Sequence, residues 1–172
     1  MMSDVLVVIS GLPGAGKSTL ADAVGRELGA PVLSVDPVEA AIWRCGIPRS
    51  FETGWAAYEV AAVLAEHQLV LGLTVITDSV SSLEVARNMW RQAAARAGSG
   101  LAIIEVICSD ENVHRQRLAH RQRDIPGFQE PSWDNVQARR SEWEPWDDNR
   151  LVVDTVRSMD VNVADALGYL RP

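Results

Sequence analysis

Lys17, the only lysine in a chain of 172 residues, sits inside Gly11-Leu12-Pro13-Gly14-Ala15-Gly16-Lys17-Ser18. This octapeptide meets every fixed position of the phosphate-loop spacing G-x-x-x-x-G-K-[ST]. Each position has a separable reason. The glycines let the backbone turn tightly, so that successive N–H groups point into one concavity and, with the N-terminus of the following helix, make an anion site. Lys17 adds a point charge for the β- and γ-phosphates, and the Ser18 hydroxyl is placed to ligate Mg²⁺. Thr19, next along, joins Gly11 to Ser18 as a candidate nucleotide contact, but the metal position belongs to Ser18. The ligand this chemistry expects is ATP with Mg²⁺.

Two carboxylates face such a loop. Asp36 closes Leu33-Ser34-Val35-Asp36, and Asp78 closes Val75-Ile76-Thr77-Asp78. In open α/β sheets the ligand crevice lies beyond the carboxyl ends of the strands, so a charged residue just after an apolar run carries weight. Asp78 reads as the second Mg²⁺ ligand, direct or through water, close enough to touch an acceptor as well. The residue after it is Ser79 rather than a water-activating glutamate, which favours transfer to a bound acceptor over ATP hydrolysis. Asp36 is the candidate base for the acceptor hydroxyl. The bland role for either aspartate is helix capping, and Asp36, just before Pro37, suits a first helical turn.

The stretch Arg115 to Arg123 holds four arginines, and Arg117 and Arg121, four apart on an expected helix, share a face. Such a pair can close over a triphosphate and neutralise charge in the transition state. Arg115 and Arg123 are expected to point elsewhere. His67, His114 and His120 have no spacing partners that suggest a metal site and read as surface or packing residues. Cys45 and Cys108 stand far apart without C-x-x-C spacing and read the same way. Three of the six tryptophans, Trp133, Trp143 and Trp146, cluster near the carboxyl end. They suit packing under a lid, with Trp146 or the loop after Val153 as candidate contacts of adenine or acceptor.

These residues need elements to position them. Apolar runs suited to strands occur at 5–10, 32–35, 74–77, 101–108 and 151–153. Helical patterns at 17–28, 38–45, 54–71, 82–97, 111–123, 132–143 and 161–170 separate and follow them. Ser82 and Asp110 look like helix caps. The alternation predicts an α/β fold with a five-stranded parallel sheet and helices on both faces. With 47% hydrophobic residues, the chain suits one domain over 1–172, with a lid at about 111–145. No signal-peptide pattern or membrane-length apolar run appears, so a cytoplasmic location without membrane contact is expected. A net charge of −7 is an unfavourable background for grasping nucleic acid. A lone lysine inside the phosphate loop also excludes the N/T-K-x-D guanine-reading motif.

Taken in order, the loop at Gly11–Ser18, Asp36, Asp78, Arg87-Asn88-Met89-Trp90, Arg117-x-x-x-Arg121 and Asp154-Thr155 resemble a bacterial P-loop kinase family. This is the group of zeta-toxin-like, polynucleotide-kinase-like and chloramphenicol-phosphotransferase-like proteins. The resemblance spans roughly Val5 to Thr155. It implies a three-layer P-loop NTPase fold with an arginine-bearing helical lid, and ATP-dependent phosphoryl transfer to a hydroxyl. It also implies Asp36 as the acceptor-activating carboxylate, Arg117 and Arg121 as lid arginines, Arg87 near the phosphates or acceptor, and Arg44 as an acceptor contact. Where polynucleotide-kinase-like sequences carry a second aspartate and a nearby arginine, this chain reads Asp36-Pro37-Val38-Glu39. A small-molecule acceptor (antibiotic, nucleoside or sugar type) is therefore expected, in a pocket built from 38–58 with Trp43, Arg49, Phe51 and Trp55 as candidate lining. The alternatives are a polynucleotide 5′-hydroxyl kinase and a non-catalytic ATP-binding regulator or toxin-like protein.

Overall fold

A computed structural model describes residues 4–171. Among them, strands β1 (Val5–Gly11), β2 (Val32–Ser34), β3 (Val75–Ser79), β4 (Gly100–Ile107) and β5 (Leu151–Asp154) form one sheet. They alternate with helices α1 (Lys17–Leu28), α2 (Val35–Arg44), α3 (Phe51–Val70), α4 (Glu84–Ala97), α5 (Glu111–Ala119), α6 (Trp133–Ser141) and α7 (Met159–Leu170). Every strand pairing is parallel, in the order β2-β3-β1-β4-β5. The expected α/β architecture is the observed one.

β1 runs through the centre, and its alternating side chains feed two cores. Leu6 and Val8 pack toward α3 and α4, while Val7 and Ile9 pack toward α1 and α7. Covering both faces is what makes the strand read as an unbroken apolar run rather than an alternation. Ala57, Ala61, Ala62 and Ala65 of α3 are fully buried and let that helix approach α4 closely. Among the described residues no helix is long and apolar enough to cross a membrane.

Register positions the chemistry. Ile9 pairs with Asp78 and Ser34 pairs with Asp78, so the carboxylate emerges between the ends of β1 and β2, beside the loop that follows β1. α2 begins at Val35 rather than at 38, which puts Asp36 in the first helical turn. The helix expected over 111–123 stops at Ala119, and irregular backbone follows as far as α6. Pro126 disfavours helical geometry only at Ile125, so it does not account for the earlier stop at Ala119. Asp110 caps α5 as expected, accepting from the N–H groups of Asn112 and Val113. Ser82 does not cap α4, which starts at Glu84 after Leu83, and the Ser82 carbonyl instead accepts from Glu144 N–H.

The junction of β1 with the loop allows no side chain at Gly11, where a Cβ would lie 2.4 Å from the Val106 carbonyl oxygen. Gly11→Ala must push β1 from β4 at the mouth of the site. We expect a loss of about 1–3 kcal/mol in stability, read as a fall in melting temperature by thermal unfolding.

Candidate active site

The loop between β1 and α1 turns through left-handed backbone at Gly14 (φ 83°) and Gly16 (φ 100°), a conformation that favours glycine. Two side chains brace it from behind. Thr155, just after β5, donates its hydroxyl to the Ala15 carbonyl at 2.7 Å. His114 of α5 lies 2.8 Å from the Pro13 carbonyl through Nε2. The His114 ring is 1% exposed, and burial pushes its pKa below the ordinary value. A neutral ring with its proton on Nε2 donates to Pro13 and leaves Nδ1 to accept from Arg140, 3.5 Å away. No metal role is needed to account for this histidine.

Lys17 is 2% exposed, and its Nζ lies 3.9 Å from Asp78 Oδ1. Ser34 donates to Asp78 Oδ2 at 3.0 Å, while Oδ1 is buried without a hydrogen bond. Asp36 stands opposite. Burial alone would raise its carboxyl, but the charges of Lys17, Arg123 and Arg121 prevail and hold it below the ordinary carboxylate range. Arg123 Nη1 donates to Asp36 Oδ2 at 2.6 Å, and its Nε donates to Glu130 at 2.9 Å.

Arg121 also turns inward. Its Nη1 lies 3.4 Å from Glu130 without a hydrogen-bonding alignment and has no other partner, although it is buried. Desolvation lowers its pKa, and the carboxylates of Glu130, Asp36 and Asp78 oppose that shift. A buried guanidinium N–H and a buried carboxylate oxygen, both without a hydrogen bond beside a glycine-rich loop, suit a ligand that brings anionic oxygens and a metal ion. Ser18 and Asp78 Oδ1 are the groups that would hold Mg²⁺, which would supply positive charge to offset that of the phosphates.

The remaining expected site residues divide. Arg117 does not share a helical face with Arg121, because α5 ends between them. Its guanidinium donates to the Thr155 hydroxyl at 2.7 Å and carbonyl at 2.9 Å, tightening the brace behind the loop. Arg87 is 1% exposed and donates to the carbonyls of Ser81, Ser82, Glu144 and Pro145. Four of its five N–H groups are thereby committed to pinning the segment before β5, and Trp146 stacks at 3.9 Å on the same guanidinium. Arg87 and Trp146 thus brace the segment before β5 in this structure. Arg44 donates to the Pro126 carbonyl and ties the 120–131 loop to α2 instead of lining a cavity.

That loop is where sequence reasoning missed most. Arg49 lies 3.9 Å over Trp43, Trp43 stacks on Phe128 at 5.7 Å, and Arg123 lies 4.5 Å over the other face of Phe128. This four-layer stack clamps the loop onto α2 and the segment that follows it. Beneath it is a cavity of about 470 Å³, lined in part by Pro13, Asp36, Glu39, Trp55, Tyr58 and Arg121. The volume suits a small organic ligand. Arg123, expected to point away, is the residue that closes this cavity over Asp36. Neither proline nor glycine occurs within 111–123 to signal that the helix stops at Ala119.

A model of the AAA domain family matches residues 6–143. The chain belongs to that family. Uncharacterized proteins of Mycobacterium tuberculosis and Mycobacterium bovis are 35% identical to it over 117 residues, covering 60% of this chain but 23% of theirs. The chain thus spans only that fraction of the curated relatives it matches. Three solved structures share its architecture. A putative kinase from Chloroflexus aurantiacus superposes with TM-score 0.77 at 22% identity, covering 98% of this chain and all of its own. The Mycobacterium tuberculosis APS kinase CysC, in complex with AMPPNP and APS, gives 0.76 at 18%, covering 100% of both chains. A gluconokinase from Sinorhizobium meliloti gives 0.70 at 20%, covering 99% of this chain and 93% of its own. The fold of this AAA-domain chain is that of P-loop kinases, as the resemblance implied.

Two measurements check the braces. Unfolded His114 takes a proton near its ordinary value of about 6.5, whereas the buried ring resists until lower pH. The stability it contributes is full above that pH and declines as pH falls below it, by at most about 1.4 kcal/mol per pH unit. His114→Gln should flatten the slope of melting temperature against pH in this range, and an unchanged slope would assign the titration elsewhere. Arg87→Met should lower the melting temperature by several degrees yet leave nucleotide affinity within about twofold, because it leaves buried carbonyls unpaired without touching the phosphate loop.

Proposed function

We propose that this chain is an ATP-dependent kinase that moves the γ-phosphoryl group of MgATP to a hydroxyl of a small-molecule acceptor. One observation carries the reading: Asp36 lines a half-open cavity that reaches the phosphate loop at Pro13 and includes Arg121, whose buried Nη1 makes no hydrogen bond. Residues 1–172 form one kinase domain in this reading, with the lid at about 111–145. A cavity of this size supports a small acceptor. The gluconokinase and the APS kinase of similar fold support a small acceptor also.

Each residue then has a task. The loop amides and Lys17 bind the β- and γ-phosphates, with Ser18 and Asp78 holding Mg²⁺ among them. Arg121 offers its free N–H to the equatorial oxygens of the phosphoryl group in flight, where charge is spread and a preorganised donor acts in a water-poor site. Asp36 takes the Arg123 hydrogen bond on Oδ2 and keeps Oδ1 for the acceptor hydroxyl. The acceptor oxygen bonds to the γ-phosphorus, the bond to the β,γ-bridging oxygen breaks, ADP leaves, and the hydroxyl proton passes to Asp36 and then to solvent. A carboxylate held below its usual range is a weak base. Its work is chiefly to orient the hydroxyl, and proton transfer comes late in a loose transition state.

Lys17→Ala should abolish transfer. Asp36→Asn should lower kcat by roughly 10²–10⁴-fold while leaving ATP affinity largely intact, as measured by ADP release with product analysis. Full turnover by Asp36→Asn would dismiss the base assignment. Labelling of a 5′-hydroxyl oligonucleotide with salt-sensitive binding would replace the small acceptor by a polynucleotide.

A further inference from the structure

Within this kinase reading, we infer that the acceptor is an amino alcohol or amino sugar whose protonated amine is held by Glu39 while its hydroxyl meets Asp36. Glu39 follows Asp36 by three residues on α2, so the two carboxylates share a helical face about 5–6 Å apart at Cβ. Both line the same cavity. Their situations differ. Asp36 is paired with Arg123, whereas among the described residues Glu39 makes no ion pair and no hydrogen bond although it is half-buried. Burial first, and the neighbouring Asp36 charge second, push its carboxyl above the ordinary value.

The cations that face Glu39 leave it uncompensated. Arg49 is committed to Gln129, to the Gly127 carbonyl and to the face of Trp43. Arg139 is exposed and stays at ion-pairing distance from neither Glu39 nor any other carboxylate. Both pull the Glu39 carboxyl downward, and neither prevails.

The fold also makes room for this group. Gly54 lies inside α3, where glycine costs roughly 1 kcal/mol relative to alanine. A Cβ there would sit 3.3 Å from Glu39 Oε1. The space next to the carboxylate is therefore kept by a residue that weakens its own helix. Trp55 and Tyr58 form the apolar sides of the same cavity.

A half-buried carboxylate in aromatic surroundings calls for a cation, since burying an unpaired charge is costly and ring faces attract positive charge. Arg121, Arg123 and Arg139 also line the cavity, but an anionic group placed against Glu39 would meet that carboxylate directly. A neutral hydroxyl would hydrogen-bond Glu39 but leave its charge unmatched. The partner that fits is an ammonium on the acceptor itself, close to the hydroxyl presented to Asp36.

The test uses phenyl-substituted amino alcohols with two to four carbons between nitrogen and oxygen, their N-acetyl derivatives, and hydroxy acids of equal length. With the whole chain and MgATP, kcat/KM should favour the amine over its N-acetyl derivative by roughly tenfold or more. Glu39→Gln, which keeps the side-chain size, should erase that preference by raising KM for the amine alone. Preference for the N-acetyl compounds or hydroxy acids, or a preference for amines that survives Glu39→Gln, overturns the inference and leaves the kinase intact. If no hydroxyl in this or a broader panel is phosphorylated, the kinase reading fails instead. Tryptophan fluorescence then decides the inference alone: amine binding lost in Glu39→Gln supports it, and equal binding of amine and N-acetyl probes overturns it.

Discussion

A lysine ammonium buried to 2% exposure at the end of a central strand has to be matched by negative charge, and the site is organised around that demand. Asp78 supplies part of the match at 3.9 Å and is itself steadied by Ser34. Asp36 contributes the rest from the first turn of α2, and Lys17 heads the influences that hold its carboxyl ionised. Each of these carboxylates owes its place to sheet register. Ile9, Asp78 and Ser34 are cross-strand neighbours, so a slip of one residue would turn Asp78 from the site to the opposite face.

The same charge logic extends outward to the segment between α5 and α6. Arg123 bridges Asp36 and Glu130, and Arg121 comes in with it, although one of its donors is left free. These guanidiniums would repel one another if the carboxylates did not lie between them. Aromatic faces complete the closure: Phe128 is held between Arg123 and Trp43, and Trp43 lies under Arg49. With a single lysine in the chain, all the cations of this closure are arginines, whose flat heads can stack and hydrogen-bond at once. On the far side of the loop, Thr155 and His114 hold the carbonyls of Ala15 and Pro13, which keeps the loop's N–H groups directed inward.

The sheet, the phosphate loop and the pair of strand-end aspartates were legible because each rests on local pattern. Strand positions 5–10 and 151–153 differ from β1 and β5 by one residue at the carboxyl end, and α1 coincides with its expected range. Long apolar runs and glycine spacing declare themselves within a few residues of chain. Arg87 was not legible, since its four carbonyl partners lie up to 58 residues away in sequence. Arg123 and Glu39 escaped for related reasons. The first depends on where a helix breaks, and the second on which neighbours fail to reach it.

The sequence by itself determined the α/β alternation, the anion-binding loop and the presence of two carboxylates at strand ends, because these follow from backbone preference and hydrophobic period over short stretches. Only the tertiary structure decided which arginine meets which carboxylate. It turned Arg87 and Arg117 into braces, brought Arg123 onto Asp36, and left Glu39 and one donor of Arg121 without partners. Pairing of charges is a property of distance in space. Where the irregular chain between α5 and α6 folds back over α2, the contacts are set by packing and stacking that no spacing along the sequence encodes.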